Sequence, residues 1–171
     1  MVYWRSVIQS AVALASLAAA CTALAAPVTF SFTGTVTDDP FGLGFASFAG
    51  SYTFESTAGD AAPSASTGSY DSSGPGFGIA VDFDAGAATA SVVGALNIGI
   101  ANDFAGPVDQ YTVTGLAGTV ELGLFLEDLT ATAFSSDALP QLPPDLADFG
   151  FRQFRWFDTD TNDPREILDR R

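Results

Sequence analysis

Phe77-Gly78-Ile79-Ala80-Val81-Asp82-Phe83 sets large apolar side chains at every second position and small or polar ones between. Strict alternation is the signature of a strand with one buried face, because successive side chains of an extended chain point to opposite sides. Working outward, the same period recurs in both directions. Val28, Phe30 and Phe32 alternate with Thr29, Ser31 and Thr33, and Gly50-Ser51-Tyr52-Thr53-Phe54 repeats the pattern. C-terminal to it come Val92 to Ile100, then Tyr111-Thr112-Val113, then Val120 to Leu126. The last two read as antiparallel neighbours joined through Gly115 to Gly118. Phe149, Phe151 and Phe154 to Phe157 supply a final strand.

Turn-forming clusters separate these runs: Asp38-Asp39-Pro40, Ser72-Ser73-Gly74-Pro75-Gly76 and Asn102-Asp103. Glycine supplies positive φ, proline fixes φ, and Asn or Asp bonds back to its own turn. No amphipathic helix of any length follows residue 26. One short turn is expected within Leu142 to Phe149, where Pro143 and Pro144 precede Asp145 at its positive end. Short strands at this spacing predict an all-β antiparallel β-sandwich, jelly-roll-like, as a single domain over residues 27–157. Two stretches are irregular. Residues 56–69 read as a surface loop, whereas 135–148, with Leu139, Leu142 and Leu146 among prolines, is expected to lie against the sheet.

The N-terminal 26 residues read differently. Arg5 precedes an apolar run from Val7 to Ala20, and Ala23-Leu24-Ala25 offers the small residues a signal peptidase accepts. The expectation is a signal peptide over residues 1–26, cleaved near Ala25 or Ala26. An uncleaved anchor helix and lipidation at Cys21 are the alternatives. Cleavage leaves about 145 residues, enough for one domain to bury its own core. It also removes the one cysteine, so disulfides cannot hold the fold together, although the compartment permits them.

Charge is distributed unevenly. Between Pro27 and Phe151 there are 15 acidic side chains and no basic one, and the arginines after the leader are Arg152, Arg155, Arg165, Arg170 and Arg171. Such a surface repels nucleic acid and anionic membranes, so neither is an expected partner. No transmembrane segment is expected once the leader is removed.

The chain has no His and no Lys. Serine–histidine triads, lysine dyads, Schiff bases and zinc sites built on His or Cys are therefore excluded. Carboxylate chemistry remains, with Asp82 and Asp84, or Glu127 and Asp128, as the pairs to consider. Nothing near them in sequence raises a pKa as such chemistry requires, and no catalytic residue is expected. Asp158, Asp160 and Asn162 place oxygen ligands at alternate positions, with Asp169 at the twelfth. This is the spacing of a calcium loop, with Asp163 where that loop places glycine. The competing reading is a solvated, flexible acidic tail over residues 158–171. Trp156, beside Phe154, Arg155 and Phe157, offers either a sugar-stacking platform or a residue of the last strand.

Several segments together resemble a family: residues 27–40 (PVTFSFTGTVTDDP), 48–56 (FAGSYTFES), 97–103 (NIGIAND), 109–113 (DQYTV) and 124–149 (LFLEDLTATAFSSDALPQLPPDLADF). They are similar to the exported β-rich domains of bacterial PEP-CTERM proteins. The resemblance implies export in a Gram-negative bacterium, a secreted or cell-envelope location, and a link to exopolysaccharide. It implies no enzymatic activity and no binding residues. The Pro-Glu-Pro signature and the apolar anchor of that family do not follow Phe157 here. The function expected is thus a non-enzymatic exported protein of unassigned ligand, in contact with extracellular polysaccharide or envelope components. The alternative is a carbohydrate-binding module, calcium-assisted or not.

Overall fold

The computed structural model describes residues 26–37, 42–62, 64–104 and 106–158. Among these the chain forms seven strands: β1 (Pro27–Thr35), β2 (Ser47–Glu55), β3 (Thr67–Phe83), β4 (Ala88–Ala101), β5 (Asp109–Ala117), β6 (Val120–Asp128) and β7 (Phe151–Asp158). All neighbours are antiparallel, and the order in the sheet is β1-β2-β3-β4-β5-β6-β7. The all-β antiparallel expectation holds. The two-sheet, jelly-roll-like sandwich does not form: the strands make one meander, curled into a half-barrel. Alternation fixes which side chains share a face, but it is equally satisfied by two facing sheets and by one sheet bent around its own core. The expected leader, 1–26, lies outside the described residues except for Ala26.

Curvature comes from pairing rings with glycines. Phe32 lies opposite Gly50 and Phe48 opposite Gly34 in the β1–β2 register. Each ring lies over the glycine facing it, and a β-carbon at Gly50 would also fall 2.7 Å from the Ala80 carbonyl oxygen. A ring from one strand thus covers the space that the glycine of the next leaves empty, which lets the sheet bend inward. Gly115 on β5 acts likewise: a β-carbon there would meet Ile79 at 2.6 Å and Val92 at 3.0 Å.

The concave face carries the core. Phe54, Phe83, Val92, Tyr111, Val113 and Leu122 are fully buried. Rings meet across the interior from the two ends of the meander, with Phe154 of β7 5.5 Å from Phe32 and 5.1 Å from Phe48. One mouth of the half-barrel is closed by a stack of Phe45 on Phe83 (5.0 Å) and Phe83 on Trp156 (5.7 Å). The other is closed by the segment 129–150. Phe134 packs on Tyr111 and Phe149 there, and the Tyr70 hydroxyl donates to the Asp137 carbonyl at 2.8 Å. This segment lies against the sheet through Phe134, Leu139 and Phe149. Leu142, 78 % exposed, and Leu146 stay outside. The expected short turn is a 3₁₀ turn, Leu146–Asp148, capped by the Asp145 carboxylate accepting from the Ala147 N–H at 2.9 Å.

Two other local expectations change. Ser72 to Gly76 is not a turn but part of β3. The register runs from Gly74 opposite Gly94 to Gly78 opposite Val93, so Pro75, Gly76 and Phe77 form an extra loop within the strand. Glycine supplies the positive φ of the bulge at Gly74 (+118°) and Gly78 (+150°), and Pro75, which has no N–H to give a ladder, sits where the pairing is interrupted. The stretch 56–69 is not all loop: Thr67 to Ser69 belong to β3, and the Asp60 carboxylate accepts from the Ala62 and Ser69 N–H groups, each at 2.9 Å.

Candidate functional site

Side chains capable of chemistry gather at two places. The first is the mouth closed by 129–150. Asp109 and Asp128 face each other across β5 and β6, on the concave side, and both are buried. Asp128 ends β6, and the chain turns back over it so that its carboxylate accepts from the Thr130 N–H (2.8 Å), the Thr132 N–H (2.7 Å) and the Ala133 N–H (3.1 Å). Both threonine hydroxyls donate to it as well. Asp109 accepts from the Asp103 N–H at 3.0 Å and the Phe134 N–H at 2.8 Å. The Thr130 hydroxyl, followed by the backbone N–H groups, holds the Asp128 carboxyl well below the usual carboxylate range. Between them the two carboxylates supply acceptors for loop N–H groups that otherwise have none, which fixes 102–104 and 130–134 to the sheet.

The pairs singled out in sequence are separated by the fold. Glu127 faces outward, where it accepts from the Gln110 amide at 2.9 Å, while its neighbour Asp128 faces inward. Asp82 lies on β3 and accepts from the Gly86 N–H. Asp84 does not share its strand face: it sits in the β3–β4 turn with φ +46° and accepts from the N–H groups of Ala46 and Ser47. Those two bonds, the Ala46 one foremost, lower its pKa. The buried pairing of Asp109 with Asp128 was not recognised in sequence. Its one local signal is Asp128-Leu129-Thr130-Ala131-Thr132, an aspartate followed by threonines at the second and fourth positions, which is the pattern of a self-capped turn.

The interior holds one further polar pair. The Tyr52 and Tyr111 hydroxyls meet at 3.1 Å across the core, and burial raises the pKa of both. Each supplies the other's partner in a place water does not reach.

The second place is the seam between β1 and β7. Leu122, Leu124 and Leu126 lie opposite Trp156, Phe154 and Arg152, so the alternate residues Arg152, Phe154 and Trp156 all face inward. Trp156 is half-buried against Phe83, and its indole N–H has no hydrogen-bond partner among the described residues. Arg155, on the other face, places its guanidinium 3.6 Å above the Phe125 ring. Between Arg152, Phe154 and the Thr33–Thr35 end of β1 lies a cleft of about 310 Å³. Asp158 is the last residue of β7, and Asp160, Asn162 and Asp169 of the expected calcium loop lie outside the described residues. Among the described residues no group of three or more Asp or Glu side chains is arranged to hold a metal ion, and no helix is long and apolar enough to cross a membrane.

No protein family, curated protein or solved structure matches the chain.

Proposed function

We propose that this chain is a non-enzymatic β-domain, exported behind the leader of residues 1–26, that acts by binding in the envelope or outside the cell. The observation that carries the non-enzymatic part is the use made of its acids. Asp84, Asp109 and Asp128 each accept two or more N–H groups of adjoining loops, and Asp82 and Glu127 are also hydrogen-bonded. For Asp84 and Asp128 the hydrogen bonds from these loops lower the carboxyl pKa, so neither is a proton donor at neutral pH. With no His or Lys in the chain, acid–base chemistry would fall to carboxylates, and these are five of the 15 between Pro27 and Phe151. The likeness to PEP-CTERM domains supports a role connected with surface polysaccharide.

The location is tested by fractionating the source bacterium and determining the mature N-terminus by mass spectrometry. Recovery outside the cytoplasm, beginning at Ala26 or Pro27, supports the reading, and a cytoplasmic chain retaining Met1 refutes it. The carbohydrate-binding alternative makes a separate demand: a glycan array must show binding that weakens on Trp156→Ala.

A further inference from the structure

We propose that the cleft at the β1–β7 seam binds a small amphiphilic carboxylate, its head group on Arg152 and its alkyl chain against the inward-facing rings. The argument begins with the direction of Arg152. Register opposite Leu126 puts it on the concave face, where every other inward residue of β6 and β7 from Leu122 to Leu126 and from Phe154 to Trp156 is apolar. Among the described residues Arg152 is the one cation on that face, since Arg155 points the other way.

Its guanidinium is only partly satisfied. Nη1 donates to the Leu146 carbonyl at 3.2 Å, but Nε is buried and has no partner among the described residues. A buried donor left unpaired is costly, and its persistence calls for an acceptor that the protein itself does not supply. With Nη1 engaged, the guanidinium edge formed by Nε and Nη2 remains, and it presents two parallel N–H bonds. That spacing matches the two oxygens of a carboxylate.

The rest of the cleft selects what the carboxylate is attached to. Phe32, Phe48, Leu124, Leu126 and Phe154 line it on one side and Thr33, Thr35 and Gln153 add polar groups, and about 310 Å³ lies at the small end of the range for small-molecule sites, roughly 300–1,000 Å³. An added β-strand is a poor fit, because Phe154 already touches Phe32 and Phe48 across the seam. A polyanion is disfavoured by the overall charge of −14. A single negative charge on a short apolar body satisfies the donor and lies along the apolar side of the cleft.

The inference concerns the purified chain and is independent of where the protein resides. Octanoate is titrated into the full chain by calorimetry, with octanol and octylamine as uncharged and cationic counterparts, and the Arg152 side-chain Nε–H resonance is followed by NMR. The expected result is saturable one-to-one binding of octanoate, about tenfold tighter than octanol because one charge-assisted pair is added. Octylamine should not bind, and the Nε–H resonance should shift with saturation. Arg152→Gln should weaken octanoate about tenfold and leave octanol unchanged. Leu146→Glu, at a partly exposed site beside Arg152, should block octanoate by offering an internal acceptor. Absence of saturable binding, octylamine binding as well as octanoate, or equal octanoate affinity in wild type and Leu146→Glu overturns the proposal. The last comparison does not depend on Arg152→Gln.

Discussion

The closed mouth and the open seam use polar groups in opposite ways. At the mouth, Asp109 and Asp128 are buried with their oxygens filled by N–H donors from the same chain. At the seam, Arg152 is turned inward with a donor left over. The mouth is therefore a place where polar residues fix structure, and the seam a place where one is left available. Partnered buried groups hold a single arrangement together, whereas an unpartnered one marks a position completed from outside.

Substitutions at the two places should separate accordingly. Phe154→Ala removes the ring that touches Phe32 and Phe48 from across the seam, and should cost about 3–5 kcal/mol in denaturant unfolding. A loss below about 1 kcal/mol would mean that the seam is not packed as described. Asp109→Ala leaves the Asp103 and Phe134 N–H groups without acceptors inside the mouth, an expected loss of about 2–3 kcal/mol. Fast amide exchange at Phe134 in that variant would place the loss in the loop.

The pH dependence should show the same division. Tyr52 and Tyr111 have pKa values raised above the ordinary 10.0, so the folded state retains protons that the unfolded chain releases. Their contribution is complete below pH 10 and is lost as pH rises above it. A Tyr52→Phe, Tyr111→Phe double variant should show a flatter alkaline limb in thermal unfolding. The lowered pKa values of Asp84 and Asp128 act in the opposite direction. Their contribution is present above the ordinary 3.8 and is lost as pH falls below it toward their depressed values. Asp128→Asn should accordingly reduce the steepness of acid unfolding. A smaller gain is expected at the β3–β4 turn, where Ala85 has φ +55°. Ala85→Gly should stabilise by about 0.5–1 kcal/mol, because glycine adopts that conformation without strain. Least of all, Arg152→Gln should shift stability by no more than about 0.5 kcal/mol, since its one bond in the fold goes to a carbonyl at the 3₁₀ turn.

Most of the sheet was legible in the sequence, because alternating Phe, Val, Ile and Tyr report a buried face, but the first half of β3, from Thr67, does not read as strand. The inward aim of Arg152 was not legible, because the last strand has aromatics of both parities, Phe149 and Phe151 as well as Phe154 and Trp156, and only the register with β6 orients it. What alternation does not carry is the relation between strands far apart in the chain. Whether β1 faces β7 across one bent sheet or two sheets face each other depends on Gly34, Gly50 and Gly115 yielding to rings, and glycines look the same in a turn. For the same reason Ser72 to Gly76 read as a turn between strands, while β3 continues through it as a bulge. The partnership of Asp109 with Asp128 depended on the β5–β6 register, one pair beyond the residues that display alternation.

The central claim is that one curled sheet is closed at the β1–β7 seam by side chains and not by a hydrogen-bond ladder. Residue-resolved amide hydrogen exchange of the folded chain tests it most directly. The account predicts alternating protection along β1 and β7, with amides directed at β2 or β6 slow and those directed at the seam fast, against slow exchange throughout the paired stretches of β5 and β6. Uniformly slow amides along both β1 and β7 would mean that each edge is paired on both sides, and would contradict it.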